Sequence, residues 1–250
     1  MADAPTNKQR SAQEMEGGAL VSQTDRLYLE ERFQRAPGIN GDLASATEAT
    51  RVPANRDFEV VGTNSTSALC AFSTGGGVTL TTAGADEDDE VLTPHLDTEQ
   101  TAWAIADWST TDEVSFGTVM QTGALITDAR IWAGLKLTLD NVIATDDDQC
   151  YFHYEDSNNG GRWNFVTSRA GTDTETDTGI TVVLSTQYKL EIKIDAQRIP
   201  RGYINGVHVA TAAALTADID LIPYIGVSAD ATAVKAISVR KLWASKAYND

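Results

Sequence analysis

The sequence predicts an all-β protein: a jelly-roll β-sandwich with an extended amino-terminal arm. Three observations carry that expectation. From Asp57 onward the chain breaks into many short β-prone runs separated by turn residues, with no long helical periodicity between them. Tyr188 to Asp195 alternates strictly, with Leu190, Ile192 and Ile194 on one face and Lys189, Glu191, Lys193 and Asp195 on the other, as in a strand with one buried and one wet face. In Tyr203-Ile204-Asn205-Gly206-Val207-His208-Val209, Asn-Gly sits between β-prone pairs, and both central residues of a type I′ turn need positive φ, which Asn and Gly tolerate best. Strands this numerous, without helices between them, pack as two sheets, and their number favours jelly-roll topology.

Taken in order, residues 1–56 read as the arm. They carry seven Lys/Arg against eight Asp/Glu, whereas residues 57–250 carry twelve against twenty-eight, so the net charge of −17 belongs almost wholly to the body. Thr24 or Asp25 caps a short helix running to about Arg35, where Pro37 stops it. A helix that short is marginal alone in water, so the segment is either a disordered tail or an arm that orders on a neighbouring subunit. Leu20, Leu27, Leu29 and Phe33 are its candidate anchors. The body, 57–250, divides into 57–96, which is either part of the sandwich or a separate small β-element, and 97–250, the jelly roll proper. Strands are expected at 58–62, 68–72, 78–82 and 91–96, then around 101–108, 113–121 and 131–139. Further strands follow at 149–154, 162–168, 179–183, 188–194, 202–204, 207–210, 221–228 and 235–244. The last of these alternates and then slips, as a terminal strand with a bulge does.

Composition excludes several classes. Hydrophobic residues make up 42% and charged residues 22% of 250, enough for a folded core, and no run approaches the roughly 18 apolar residues of a membrane span. Met1 to Pro5 lacks a basic segment followed by an apolar one, so no secretory signal is expected. Two cysteines, Cys70 and Cys150, give neither a disulfide framework nor metal-ligand spacing, and read as buried small side chains. Nucleic acid is not expected as a partner, because phosphate attraction needs clustered Lys and Arg.

Glu191 and Asp195 share a strand face but stand about 13 Å apart at ~3.3 Å per residue, too far for a retaining glycosidase pair. Asp86-Glu87-Asp88-Asp89-Glu90 and Asp146-Asp147-Asp148 offer oxygen to calcium, yet neighbouring acids on extended chain point in opposite directions, so both read as solvated loops. His95, His153 and His208 are scattered, and His208, beside the Asn-Gly turn, is expected to project to solvent. Gly75-Gly76-Gly77 lacks the Lys-Ser/Thr of a phosphate loop and reads as a turn. No catalytic residue, cofactor or metal site is assigned. Most tryptophans read as packing. Trp163 is the exception: it follows the polar loop Asp156 to Gly161, from which Tyr154, Arg162 and Trp163 form a candidate glycan patch.

The order of the long alternating strand Tyr188 to Asp195, the hairpin Tyr203 to Val209, the apolar run Leu221 to Val227 and a closing strand with Trp243 resembles the carboxyl-terminal half of concanavalin-like jelly rolls. With the polar arm, the whole chain resembles jelly-roll cement or decoration proteins of tailed-bacteriophage heads. That resemblance implies a non-enzymatic virion protein, assembled in the host cytoplasm as a homotrimer, docked on the major capsid protein and bridging capsomers. The alternative is a carbohydrate-binding module of a phage head or tail fibre. The hydrolases of this fold carry a Glu-x-Asp-x-x-Glu strand, which this chain lacks.

Overall fold

The computed structural model describes residues 26–33, 39–40, 58–66, 68–73, 76–94, 108–138 and 140–247. Its strands are β1 (Arg26–Glu31), β2 (Ile39–Asn40), β3 (Phe58–Val61), β4 (Cys70–Phe72), β5 (Val78–Thr81), β6 (Asp89–Pro94), β7 (Trp108–Ser109), β8 (Ser115–Thr122) and β9 (Ala129–Lys136). There follow β10 (Gln149–Glu155), β11 (Arg162–Arg169), β12 (Thr172–Thr181), β13 (Gln187–Ile194), β14 (Pro200–Ile204), β15 (Val207–Thr211), β16 (Asp220–Ala229) and β17 (Ala236–Ala247). Among the described residues they make two sheets. An eight-stranded sheet runs β15-β14-β13-β8-β17-β5-β4, with β1 also on β17; a nine-stranded sheet runs β12-β11-β10-β9-β16-β6-β3-β2, with β7 on β16. The pairings are antiparallel except β2 with β3. This is the jelly-roll sandwich, and no helix among the described residues is long and apolar enough to cross a membrane.

The core follows from alternation. Tyr188, Leu190, Ile192 and Ile194 of β13 are buried, and they meet Cys150, Phe152, Phe165, Ile131 and Leu135 from the other sheet in one continuous cluster. Each large apolar side chain buried there contributes about 1.5–3 kcal/mol. The Asn-Gly hairpin closes with φ of 52° at Asn205 and 81° at Gly206, pairing Ile204 with Val207. The closing strand β17 carries its register shift between Val239 and Lys241, where the alternation slips. The strands of 57–96 are shared between the sheets: β3 and β6 join the nine-stranded one, β4 and β5 the eight-stranded one.

The arm differs from expectation. Residues 26–31 form a strand, not a helix, because β17 offers partners for every one of them, Arg26 opposite Ala247 through Glu31 opposite Leu242. The local sequence permits this, since Leu27 and Leu29 alternate with Tyr28 and Glu30. Leu29 is 7% exposed and Phe33 fully buried, its ring 5.4 Å from that of Phe58, while Leu27 packs on the edge of the same core. These three candidate anchors therefore hold the protein's own sheet rather than facing a partner; Leu20 lies outside the described residues. Leu29→Ala should destabilise the body by about 2–3 kcal/mol in urea denaturation, from the lost transfer energy and the cavity left behind. An unchanged midpoint would mean that β1 contributes nothing to folding.

Candidate functional site

The nine-stranded sheet has a second face, turned away from the eight-stranded sheet; at its centre, on β9, β10, β11 and β16, the side chains are also buried, whereas those of β12 at the edge are exposed. Along β10, Cys150, Phe152 and Tyr154 enter the inter-sheet core, so Gln149, Tyr151 and His153 must point the other way. Register extends that face across the sheet. His153 lies between Asn164 of β11 and Trp132 of β9, Trp132 opposes Gly226, and Gly226 opposes Val91. One step along, Tyr151 lies between Val166 and Gly134, and Gly134 opposes Tyr224. Val61, Val91, Trp132, Tyr151, Val166 and Tyr224 form an apolar cluster of their own, separate from the main core.

Two glycines set the rings. A Cβ on Gly226 would lie 2.5 Å from Cζ2 of Trp132, so the indole rests against the sheet where that side chain is missing. A Cβ on Gly134 would lie 2.4 Å from Cα and Cβ of Tyr151, so the strands approach there only because the side chain is absent.

Interleaved with these rings are polar groups without hydrogen-bond partners: both ring nitrogens of His153, the Tyr151 hydroxyl, Nε1 of Trp132, Nδ2 of Asn164, Oγ of Ser168 and Oε1 of Gln149. Each such buried group costs about 1–3 kcal/mol, so a cluster is a liability that a polar ligand would relieve. Burial first, then the charges of Lys136 and Arg130, push His153 down to about 3. At neutral pH its imidazole is therefore uncharged, with one donor and one acceptor nitrogen. Lys136 is fully buried beside it. Its Nζ lies 4.6 Å from the Tyr151 ring centroid and donates to the carbonyl of Asp140, and burial pushes the ammonium down to about 8 against the pull of Asp146, Asp140 and Asp89.

The segment after β9 folds back over one end of this face. Asp146 accepts the backbone N–H groups of Leu137 and Thr138 at 2.9 and 3.1 Å, Gln149 donates to the carbonyl of Ile143, and Ile143 packs on the apolar cluster. Asp148 is likewise consumed, accepting from Thr216 at 3.1 Å and Ala170 at 3.4 Å. The acidic run after β9 thus serves as a loop clamp. In the other run, Asp88 accepts from Ala85 at 2.5 Å and Asn64 at 2.6 Å. Asp86, Glu87 and Asp230 bring oxygens within 4.8 Å of one another, but Arg130 already sits 3.2 Å from Glu87 and 2.6 Å from Asp230.

The candidate patch Tyr154, Arg162 and Trp163 does not assemble on the surface. Trp163 is fully buried in the inter-sheet core, edge-on to Tyr154 at 6.1 Å and to Tyr188 at 5.6 Å. Tyr154 is buried too, its hydroxyl donating to the carbonyl of Ile126 at 3.1 Å. Only Arg162 is exposed, paired with Asp177 at 2.5 Å. The reason is parity: β11 begins at Arg162, so the next side chain turns inward. His208 is exposed as expected, with Nε2 2.8 Å from Oγ1 of Thr211. Glu191 pairs with Lys189 at 2.9 Å and Asp195 with Arg201 at 2.6 Å. Both cysteines are buried, and burial pushes their thiols up. His95, Trp103 and Gly75 lie outside the described residues. The signal overlooked in sequence was the second period in Gln149-Cys150-Tyr151-Phe152-His153-Tyr154, where a polar-aromatic set alternates with an apolar one.

Two packed, almost wholly antiparallel sheets, one of them carrying a buried polar and aromatic outer face, define a jelly-roll β-sandwich protein. Within that class the chain belongs to the SO2946-like, C-terminal domain family, whose model matches residues 98–237. It is similar to a protein of unknown function, SO2946 from Shewanella oneidensis MR-1, at 11% identity and a TM-score of 0.62, covering 98% of this chain and 96% of that one. It is also similar to the Emp47p carbohydrate recognition domain at 8% identity and a TM-score of 0.53, covering 77% of this chain and 89% of that one. Alginate lyase A1-II′, of polysaccharide lyase family 7, matches at 13% identity and a TM-score of 0.50, covering 72% of this chain and 84% of that one. No curated protein matches the chain. At these identities the likenesses show the fold alone, a fold shared with proteins of carbohydrate recognition and cleavage.

Proposed function

We propose that this protein binds a saccharide, without turning it over, on the outer face of the nine-stranded sheet. The observation that carries the reading is Trp132 laid against Gly226 beside neutral His153 and Asn164, with unused hydrogen-bonding groups on all three. A sugar ring has an apolar C–H face and a hydroxyl rim, and it suits an aromatic plane flanked by neutral donors and acceptors. Trp132 and His153 are at most 1% exposed, so the site is enclosed and binding accompanies an opening of this face. Association is then slower than onto an open platform.

The test is a glycan array followed by calorimetric titration of the strongest binder. Trp132→Ala should weaken binding at least tenfold, and Asn164→Ala, which takes away the unpartnered Nδ2 together with the Oδ1 that accepts from Asn159 at 2.5 Å, should weaken it severalfold, with the melting temperature measured alongside because Asn164 is fully buried. A wild-type chain that binds no glycan, or an Asn164→Ala chain that binds normally, sinks the proposal. Catalysis is the reading to set against it, because a neutral imidazole 6.0 Å from the ring of Tyr151 suits proton transfer. Release of reducing ends from the bound glycan, abolished by His153→Gln, would replace binding alone with turnover.

The capsid reading is a separate proposal. A trimeric decoration protein docked on a major capsid protein at the virion surface draws support from the acidic body, which keeps free subunits soluble. It needs anchors other than Leu27, Leu29 and Phe33. Copy number in purified particles decides it: a simple ratio to the shell protein supports it, and absence removes it.

A further inference from the structure

We infer that this site selects neutral or amino saccharides and rejects polyuronates and sulfated glycans; the inference rests on the saccharide reading above. Register places Asp173, Glu175 and Asp177 of β12 opposite Ser168, Val166 and Asn164, which puts their side chains on the same outer face as the site. Glu155 lies two residues beyond His153 on that face, and Asp140 and Asp146 stand in the segment folded over its far end. Against these six carboxylates the described residues of the face set three cations, and each is already engaged. Arg130 lies 3.2 Å from Glu87, 3.6 Å from Glu155 and 2.6 Å from Asp230. Arg162 is held by Asp177 at 2.5 Å. Lys136 donates to the Asp140 carbonyl and lies against the Tyr151 ring.

On the Tyr151 side of the site the field has the same sign, while at His153 the charges of Lys136 and Arg130 act the other way. Beyond burial, the Tyr151 hydroxyl is pushed further up by Asp146, Asp173, Glu175 and Asp140, four carboxylates acting together. An anion seated beside Tyr151 meets that potential with no free guanidinium among the described residues of the face to receive it; Asp173, Glu175 and Asp177 are exposed, so their share of the repulsion is screened and weakens with salt. A neutral sugar is indifferent to it, and an ammonium sugar is drawn in. Recognition of anionic sugars normally supplies a bidentate arginine, whose planar fork matches a carboxylate; here both described arginines of the face, Arg130 and Arg162, are paired with the protein's own acids.

The experiment is the full chain on an array printed with neutral, amino, uronate and sulfated glycans, read at low and at physiological salt. Expected are hits confined to neutral and amino glycans, with uronates and sulfated glycans at least tenfold weaker and that gap narrowing as salt rises. A chain carrying both Asp173→Asn and Glu175→Gln should gain at least threefold in uronate signal while its neutral hits persist. Uronate or sulfated glycans as the strongest wild-type hits overturn the selectivity and leave the saccharide reading standing. No hits at all overturn that reading, and the selectivity with it.

Discussion

Trp163→Ala will lower the stability of the protein by about 3–5 kcal/mol, the range for losing a large aromatic from a packed interior. The indole is fully buried, edge-on to Tyr154 on one side and Tyr188 on the other, and its backbone carbonyl accepts from Oγ1 of Thr178 at 2.6 Å. Removing it opens a void at the join of β10, β11 and β13 that the surrounding strands, fixed by their ladders, do not collapse to fill. Urea denaturation measures the loss. Where the variant remains folded, saccharide binding should be little changed, because Trp132, His153 and Asn164 face the other way. This reverses what the sequence suggests for an aromatic beside a polar loop, namely binding lost and folding kept. A variant with the wild-type midpoint would place Trp163 outside the core.

Lowering the pH will cost the protein stability through His153, and His153→Gln will remove that cost. An ordinary histidine titrates near 6.5, whereas burial and the charges of Lys136 and Arg130 hold His153 at about 3. The unfolded chain therefore binds a proton that the folded chain refuses. The contribution is fully present above about 6.5 and is lost as the pH falls toward about 3, at about 1.4 kcal/mol per unit and about 4–5 kcal/mol in all. Glu30, held at about 2, and Asp89, raised to about 6 by burial, add slopes of their own, but both are common to wild type and variant and cancel in the difference. Denaturation at pH 7, 5 and 4 should show the two converging as the pH falls, by about 2 kcal/mol at pH 5. Parallel curves would mean that His153 is accessible and protonates in the folded state.

Trp163 and Trp132 each sit in a β-prone run, and nothing within either run tells which of them meets the other sheet. The deciding facts are the residue at which β11 starts, and Gly226, which β16 brings opposite Trp132 from some ninety residues further along the chain. The helix expected near Arg35 failed for a related reason. Its alternative, a strand from Arg26 to Glu31, is stabilised by partners on β17 more than two hundred residues away.

The all-β class, the alternation of β13, the Asn-Gly hairpin and the slip in β17 are legible in the residues themselves, because each depends on the φ, ψ preferences and side-chain parity of a few adjacent positions. The burial of Leu29 and Phe33 in the core, the packing of Trp163 inside the sandwich and the convergence of Trp132, Tyr151, His153 and Asn164 on a second face arise from the assembled sheets. Those outcomes depend on which strands become neighbours. Neighbours are chosen by burial summed over the whole chain, a quantity that no short stretch of it contains.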